Sequence, residues 1–145
     1  IESIKNKGFK GVCNLPSMAL MDGSLRTIVE EQGLGFEREA QLMAIARNKG
    51  LYTLALVASP KEADVMLAVG VDALLLHPGL AFEESPTLQI DNYLDEIVSL
   101  SNRVSSDYPL FACSVAPRHL KRLAHSLLNL SGFYAIRSLE NAGVV

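Results

Sequence analysis

Apolar residues recur along this chain in five short, nearly continuous runs: Phe9 to Asn14, Tyr52 to Ala58, Ala73 to His77, Leu110 to Ser114 and Phe133 to Ile136. Alternation would mark strands wetted on one side. Continuous apolarity marks strands shielded on both faces, as in a parallel sheet. Between these runs the period changes to three and four. Phe36 to Lys49 gathers Ala40, Leu42, Met43 and Ala46 toward one side and stops at Gly50, a residue that closes a helix in the left-handed conformation. Ser59-Pro60-Lys61-Glu62 combines a capping hydroxyl, Pro at the first helical position and Glu three residues after the cap. This capping box starts a helix that runs to about Val69 and ends at Gly70. Ile90, Leu94, Ile97, Ser101 and Val104 share one helical face, as do Leu120, Leu123, Ala124, Leu127 and Leu128. Ser24 to Glu31 adds a short helix after the first strand, with Ser24 as its cap.

Strands alternating with helices require right-handed crossovers, which leaves an open doubly wound sheet or a (β/α) barrel. Helix-to-strand links are very short, as at Lys49-Gly50-Leu51 and Gly70-Val71-Asp72, whereas strand-to-helix links are long and polar. Function is therefore expected beyond the carboxyl ends of the strands, the common rule of both architectures. No Gly-x-Gly-x-x-Gly follows a strand, which disfavours a dinucleotide site.

Composition narrows the classes. The chain has 145 residues, 49% of them hydrophobic and 20% charged, enough for one globular core and too apolar for disorder. Its 13 basic and 16 acidic residues are scattered, so nucleic acid is not an expected partner. The apolar runs fall short of the roughly 20 residues that span a bilayer, and no membrane partner is expected. Cys13 and Cys113 each sit in an apolar run, read as small buried thiols in a reducing, cytoplasmic setting. Residues Ile1 to Lys10 carry neither an initiator Met nor a hydrophobic signal core, and the chain reads as part of a longer one.

Gly8-Phe9-Lys10-Gly11-Val12-Cys13-Asn14-Leu15-Pro16-Ser17, followed by Leu20-Met21-Asp22-Gly23, resembles the phosphoenolpyruvate hydrolase-like domain. That TIM barrel is related to phosphoenolpyruvate mutase and isocitrate lyase, and a similar domain ends plant and fungal proteins of the tobamovirus-resistance type. The resemblance continues through Arg26, Glu30, Glu31, Gly33-Leu34-Gly35 and Glu39, through Ala68 to Ala73 with His77-Pro78-Gly79-Leu80, and to Gly132-Phe133-Tyr134-Ala135. It implies an α/β fold of the parallel (β/α) TIM-barrel type, in which residues 1–145 form one partial domain. Strands four to eight would be present and the N-terminal strands missing from a barrel of about 250 residues. Three loops depart from the family pattern. Ser114-Val115-Ala116-Pro117 stands where the family has His-Gly-Gly-Pro, and Ala81-Phe82-Glu83-Glu84-Ser85-Pro86 replaces a Gly/Ser-rich loop. Ala135-Ile136-Arg137-Ser138-Leu139-Glu140-Asn141 replaces Gly-Ala-Ser-Ser-Met-Glu-Arg.

The candidate catalytic residues are His77, Asp22 and Arg26. His77 ends a strand before Pro78-Gly79, where an imidazole can move a proton or be tied to a neighbouring loop. Asn14 can hold a substrate oxygen or fasten the loop that follows it. Arg26 and Glu30 lie four apart, so one helix face carries both. They are either an exposed ion pair or, with Asp22 as metal ligand or base, a carboxylate-binding group. Gly79, Ser114 and Ser138 complete the ligand-binding candidates; Ser114 lacks the Gly-x-Ser-x-Gly setting of a nucleophile. His119 and His125 read as solvated helix residues, and Glu37, Arg38 and Glu39 as a solvated first turn. The resemblance implies lyase, mutase or hydrolase chemistry on a small anionic substrate, a carboxylate or a phosphorylated keto acid, with Mg2+ as candidate cofactor. The altered loops imply instead a pseudoenzyme or interaction domain that keeps a small-anion pocket. Five strands leave open edges, so a homo-oligomer or an N-terminal barrel half is the expected partner.

Overall fold

A computed structural model describes residues 1–77, 86–113 and 130–134. Its described elements run α1 (Glu2–Asn6), β1 (Gly11–Cys13), a 3-10 turn (Met18–Leu20), α2 (Gly23–Glu31), α3 (Phe36–Asn48), β2 (Tyr52–Val57), α4 (Pro60–Ala68), β3 (Ala73–Leu76), α5 (Pro86–Ser101), β4 (Leu110–Cys113) and β5 (Gly132–Tyr134). The five strands form one sheet in the order β1-β2-β3-β4-β5, every neighbouring pair parallel. Sequential order, with helices between the strands from β1 to β4, is the topology of consecutive (β/α) units and is compatible with half of a TIM barrel. The helix expected over Arg118 to Leu128 lies outside the described residues.

The ladder explains why the strands read as continuous apolar runs. Cys13 lies opposite Leu54, Leu54 opposite Ala73, Leu75 opposite Phe111, and Cys113 opposite Tyr134. Because side chains alternate, Thr53, Ala55, Val57, Leu74, Leu76, Leu110 and Ala112 occupy the other face, and all of these are buried. α3 contributes Phe36, Ala40, Met43 and Ala46 to the core, α4 contributes Ala63 and Met66, and α5 contributes Tyr93, Leu94 and Leu100. The first face is covered only in the middle strands. Tyr52 and Tyr134 stay 49% and 43% exposed there, and Cys13 is exposed as well. Cys13 is thus not the buried thiol its apolar run suggests, because β1 is an outer strand. Cys113 is buried, and burial pushes its thiol up to about 11. Both cysteines are free.

Local signals act as chemistry requires. Ser59 accepts a hydrogen bond from the Glu62 N–H and caps α4, with Pro60 in its first turn. α2 begins at Gly23, so its N-cap is Asp22, two residues before the expected cap Ser24. Tyr93 bridges two strand ends, its hydroxyl lying 3.0 Å from the Leu76 carbonyl and 3.2 Å from that of Cys113. Among the described residues no helix is long and apolar enough to cross a membrane.

Candidate functional site

The carboxyl ends of β1, β2 and β3 bring three groups of polar side chains to one end of the sheet. At the end of β1, Asn14 is wholly engaged. Its Nδ2 lies 2.8 Å from Glu39 Oε2, 3.1 Å from the Leu56 carbonyl and 3.2 Å from Ser17 Oγ, while its Oδ1 accepts from the Leu56 N–H at 2.6 Å. The side-chain amide thereby continues the pairing of β1 with β2 one residue beyond the strand. Glu39 completes the group: Oε2 accepts from Ser17 Oγ at 2.7 Å and Oε1 from the Met18 N–H at 2.6 Å. Glu39 is therefore no solvated first-turn residue. It is half-buried and fastens the loop that carries the 3-10 turn. Leu15-Pro16 in that loop is a cis peptide.

At the end of β2, Glu62 is a buried carboxylate. One oxygen accepts from the Ala58 N–H at 2.9 Å and the other from Arg26 Nη1 at 3.1 Å. In a capping box the Glu reaches the N-cap N–H. Here it reaches one residue further back, which frees its second oxygen for Arg26. Arg26 also donates from Nε to Glu30 at 2.8 Å, so its guanidinium lies between two carboxylates. The expected pairing of Arg26 with Glu30 on one helix face is present, and the partner that sequence reading missed is Glu62.

Arg26, Glu30 and Glu62 border a cleft of about 590 Å3 whose other walls are the first turns of α3 and α4, including Arg38, Ser59 and Lys61. That volume lies within the range of small-molecule sites, roughly 300–1,000 Å3. Three cations and three carboxylates line it, with Glu37 the third acid. Its charge is balanced.

At the end of β3, His77 continues the ladder through its N–H to the Val57 carbonyl at 2.9 Å. With Tyr93, Glu96 and Ser59 it lines a second cavity of about 10 Å3, room for one water at most. Burial lowers the His77 pKa and favours the neutral imidazole. Partial burial raises that of Glu96, and the charge of Glu62 adds to the effect. Ser59 borders both cavities, and so joins the two rims.

Arg26 and Glu30 therefore share the cleft, whereas His77 lines the second cavity and Asn14 is engaged in the first loop. Asp22 stands exposed at the N-cap of α2 and makes no capping hydrogen bond with its side chain. Gly79, Ser114, Ser138, His119 and His125, with the loops 81–85, 114–117 and 135–141, lie outside the described residues. Among the described residues no group of three His, Cys, Asp or Glu side chains could hold a metal ion.

The sequence profile of a family described as phosphoenolpyruvate hydrolase-like matches residues 1–111. The chain belongs to that family. The ToMV susceptible protein tm-1(GCR26) of Solanum lycopersicum is 29% identical over 155 residues, covering 99% of this chain and 20% of that protein. The ToMV resistance protein Tm-1(GCR237) of the same plant gives the same identity and coverage over 154 residues. The chain thus spans about a fifth of the length of these relatives. Among solved structures, a chain of a cube-shaped, highly porous protein cage designed by fusing symmetric oligomeric domains superposes at a TM-score of 0.51. The match covers 96% of this chain and 50% of that one at 18% identity, and it supports the fold alone. Within this phosphoenolpyruvate hydrolase-like domain the family match ends at Phe111, shortly before Ser114, where the second of the three departing loops begins.

Proposed function

We propose that residues 1–145 form one part-barrel domain, a divergent phosphoenolpyruvate hydrolase-like domain that serves as a non-catalytic binding or interaction module with a small-anion pocket. The observation that carries this reading is the internal commitment of the two strongest ligand-binding candidates. Arg26 is neutralised by Glu30 and Glu62, and the Asn14 amide is taken by Glu39, Leu56 and Ser17. A substrate would have to displace a charge-assisted contact at each. The anion affinity that remains is that of Lys61 and Arg38 across the cleft, and the replacement of His-Gly-Gly-Pro by Ser114-Val115-Ala116-Pro117 supports the same reading.

A second reading, an active lyase, mutase or hydrolase, is favoured by one observation. His77 stands at a strand end and lines a cavity with Glu96, a position from which a proton can be moved, and burial lowers its pKa. One experiment separates the two: turnover of phosphoenolpyruvate and oxaloacetate by the full chain, with thermal shifts in inorganic phosphate and in MgCl2. A module gives no turnover and no shift that depends on metal. Turnover that Arg26→Ala and His77→Ala abolish, together with a Mg2+-dependent shift, establishes the enzyme instead.

A further inference from the structure

Few contacts hold α2 to the rest of the molecule. None of its side chains is buried; Leu25 and Ile28 are each 57% exposed, and Val29 is the residue that packs partly against the core. Among the described residues, one side-chain hydrogen bond leads from α2 to another helix or strand: Arg26 Nη1 to Glu62 Oε1. Gly23, the first residue of the helix, and Gly33, two residues after its end, have φ of 59° and 71°, in the region glycine reaches without penalty, and both have open space around them. The segment before it is fixed by Asn14, Ser17 and Glu39, and α3 after it is anchored by four buried residues. A weakly packed piece thus lies between two firm ones, and it forms one wall of the 590 Å3 cleft.

We propose that Asp22–Leu34 is a latched strap, turning about Gly23 and Gly33, which the Arg26–Glu62 contact holds closed over the cleft. The latch has a built-in return force. When the strap lifts, Arg26 and Glu30 leave the cleft wall, and Glu62 loses its cationic partner and keeps only the Ala58 N–H, near the acidic Glu96. Such a group is costly unless a cation replaces the lost one. The strap therefore closes by default and opens for a ligand that presents a positive group to Glu62 or competes for Arg26. This device does not depend on whether the domain is a module or an enzyme.

Hydrogen exchange of the full chain, read by mass spectrometry, tests it. The α2 amides are expected to exchange by local opening about 100-fold faster than the interior amides of α3. Glu62→Gln, which keeps the shape and the acceptor for Ala58, is expected to speed α2 exchange about tenfold and leave α3 and β2 unchanged. Equal exchange in α2 and α3, or no effect of Glu62→Gln on α2, overturns the proposal. If Glu62→Gln loosens the whole chain, the wild-type protein decides. Raising NaCl from about 0.05 M to about 1 M should then speed exchange in α2 selectively, because Arg26, the partly exposed partner in the latch, is screened at high salt, and an unchanged α2 overturns the strap.

Discussion

Single residues hold the ends of this sheet together, and Asp72 shows how. Its carboxylate accepts from the Thr53 N–H at 2.8 Å and from Thr53 Oγ1 at 2.7 Å, with Arg47 at 3.5 Å. Burial works against its ionisation, but the two Thr53 hydrogen bonds and Arg47 outweigh it and leave the pKa below the ordinary carboxylate value. A group whose pKa falls on folding stabilises the fold above its unfolded pKa. That contribution is complete at neutral pH and is lost as pH drops from the ordinary carboxylate range through the lower folded value. Asp72→Asn should therefore flatten the acid limb of a stability-versus-pH curve, measured by urea unfolding at stepped pH. An unchanged acid limb would refute the assignment. Glu39→Ala should cost about 1–3 kcal/mol, because Asn14, Ser17 and the Met18 N–H lose a shared acceptor. The same unfolding measurement checks it. The strand-end position of His77 and the pairing of Arg26 with Glu30 were legible because strand ends and helix spacing are local facts. Glu39 and Glu62 were not, since their roles depend on loops and turns that meet only in the folded sheet.

Helices and strands were more readable than side-chain roles. The five apolar runs and the helices around Ala40 to Ala46, Pro60 to Ala68 and Leu94 to Ser101 all appear, because burial on both faces and a three-to-four period leave direct marks in sequence. Boundaries moved at the start of α2, where Asp22 and not Ser24 takes the N-cap position without a side-chain capping bond. They also moved where a strand ladder ended early, as in β1, which has three residues rather than the run from Phe9 to Asn14. α4 offers the clearest test at this scale. Its cap joins the two cavity rims, so Ser59→Ala should lower stability by about 1 kcal/mol. Met66, fully buried on the same helix, should cost about 2–5 kcal/mol when truncated to Ala. A Met66→Ala loss under 1 kcal/mol in urea unfolding would mean that α4 packs more loosely than its burial implies.

For the molecule as a whole, the outer strands decide behaviour. β1 pairs with β2 and β5 with β4, and among the described residues neither has a second neighbour. Unpaired strand edges are templates for association, and here they come with exposed apolar side chains: Phe9 beside β1, and Phe133 and Tyr134 within β5. The half-open sheet face with Tyr52, Leu54 and Tyr134 adds surface that a closed barrel would bury. Each of these features has the same physical remedy, further parallel strands against β1 and β5, supplied by a second copy or by more of the same polypeptide. A chain of these 145 residues on its own should therefore self-associate, with a sedimentation coefficient that rises with concentration. Replacing Phe9 and Tyr134 with Lys should reduce that association by removing apolar surface and adding charge at both edges. A stable, monodisperse monomer with the wild-type sequence would show instead that the edges are already covered.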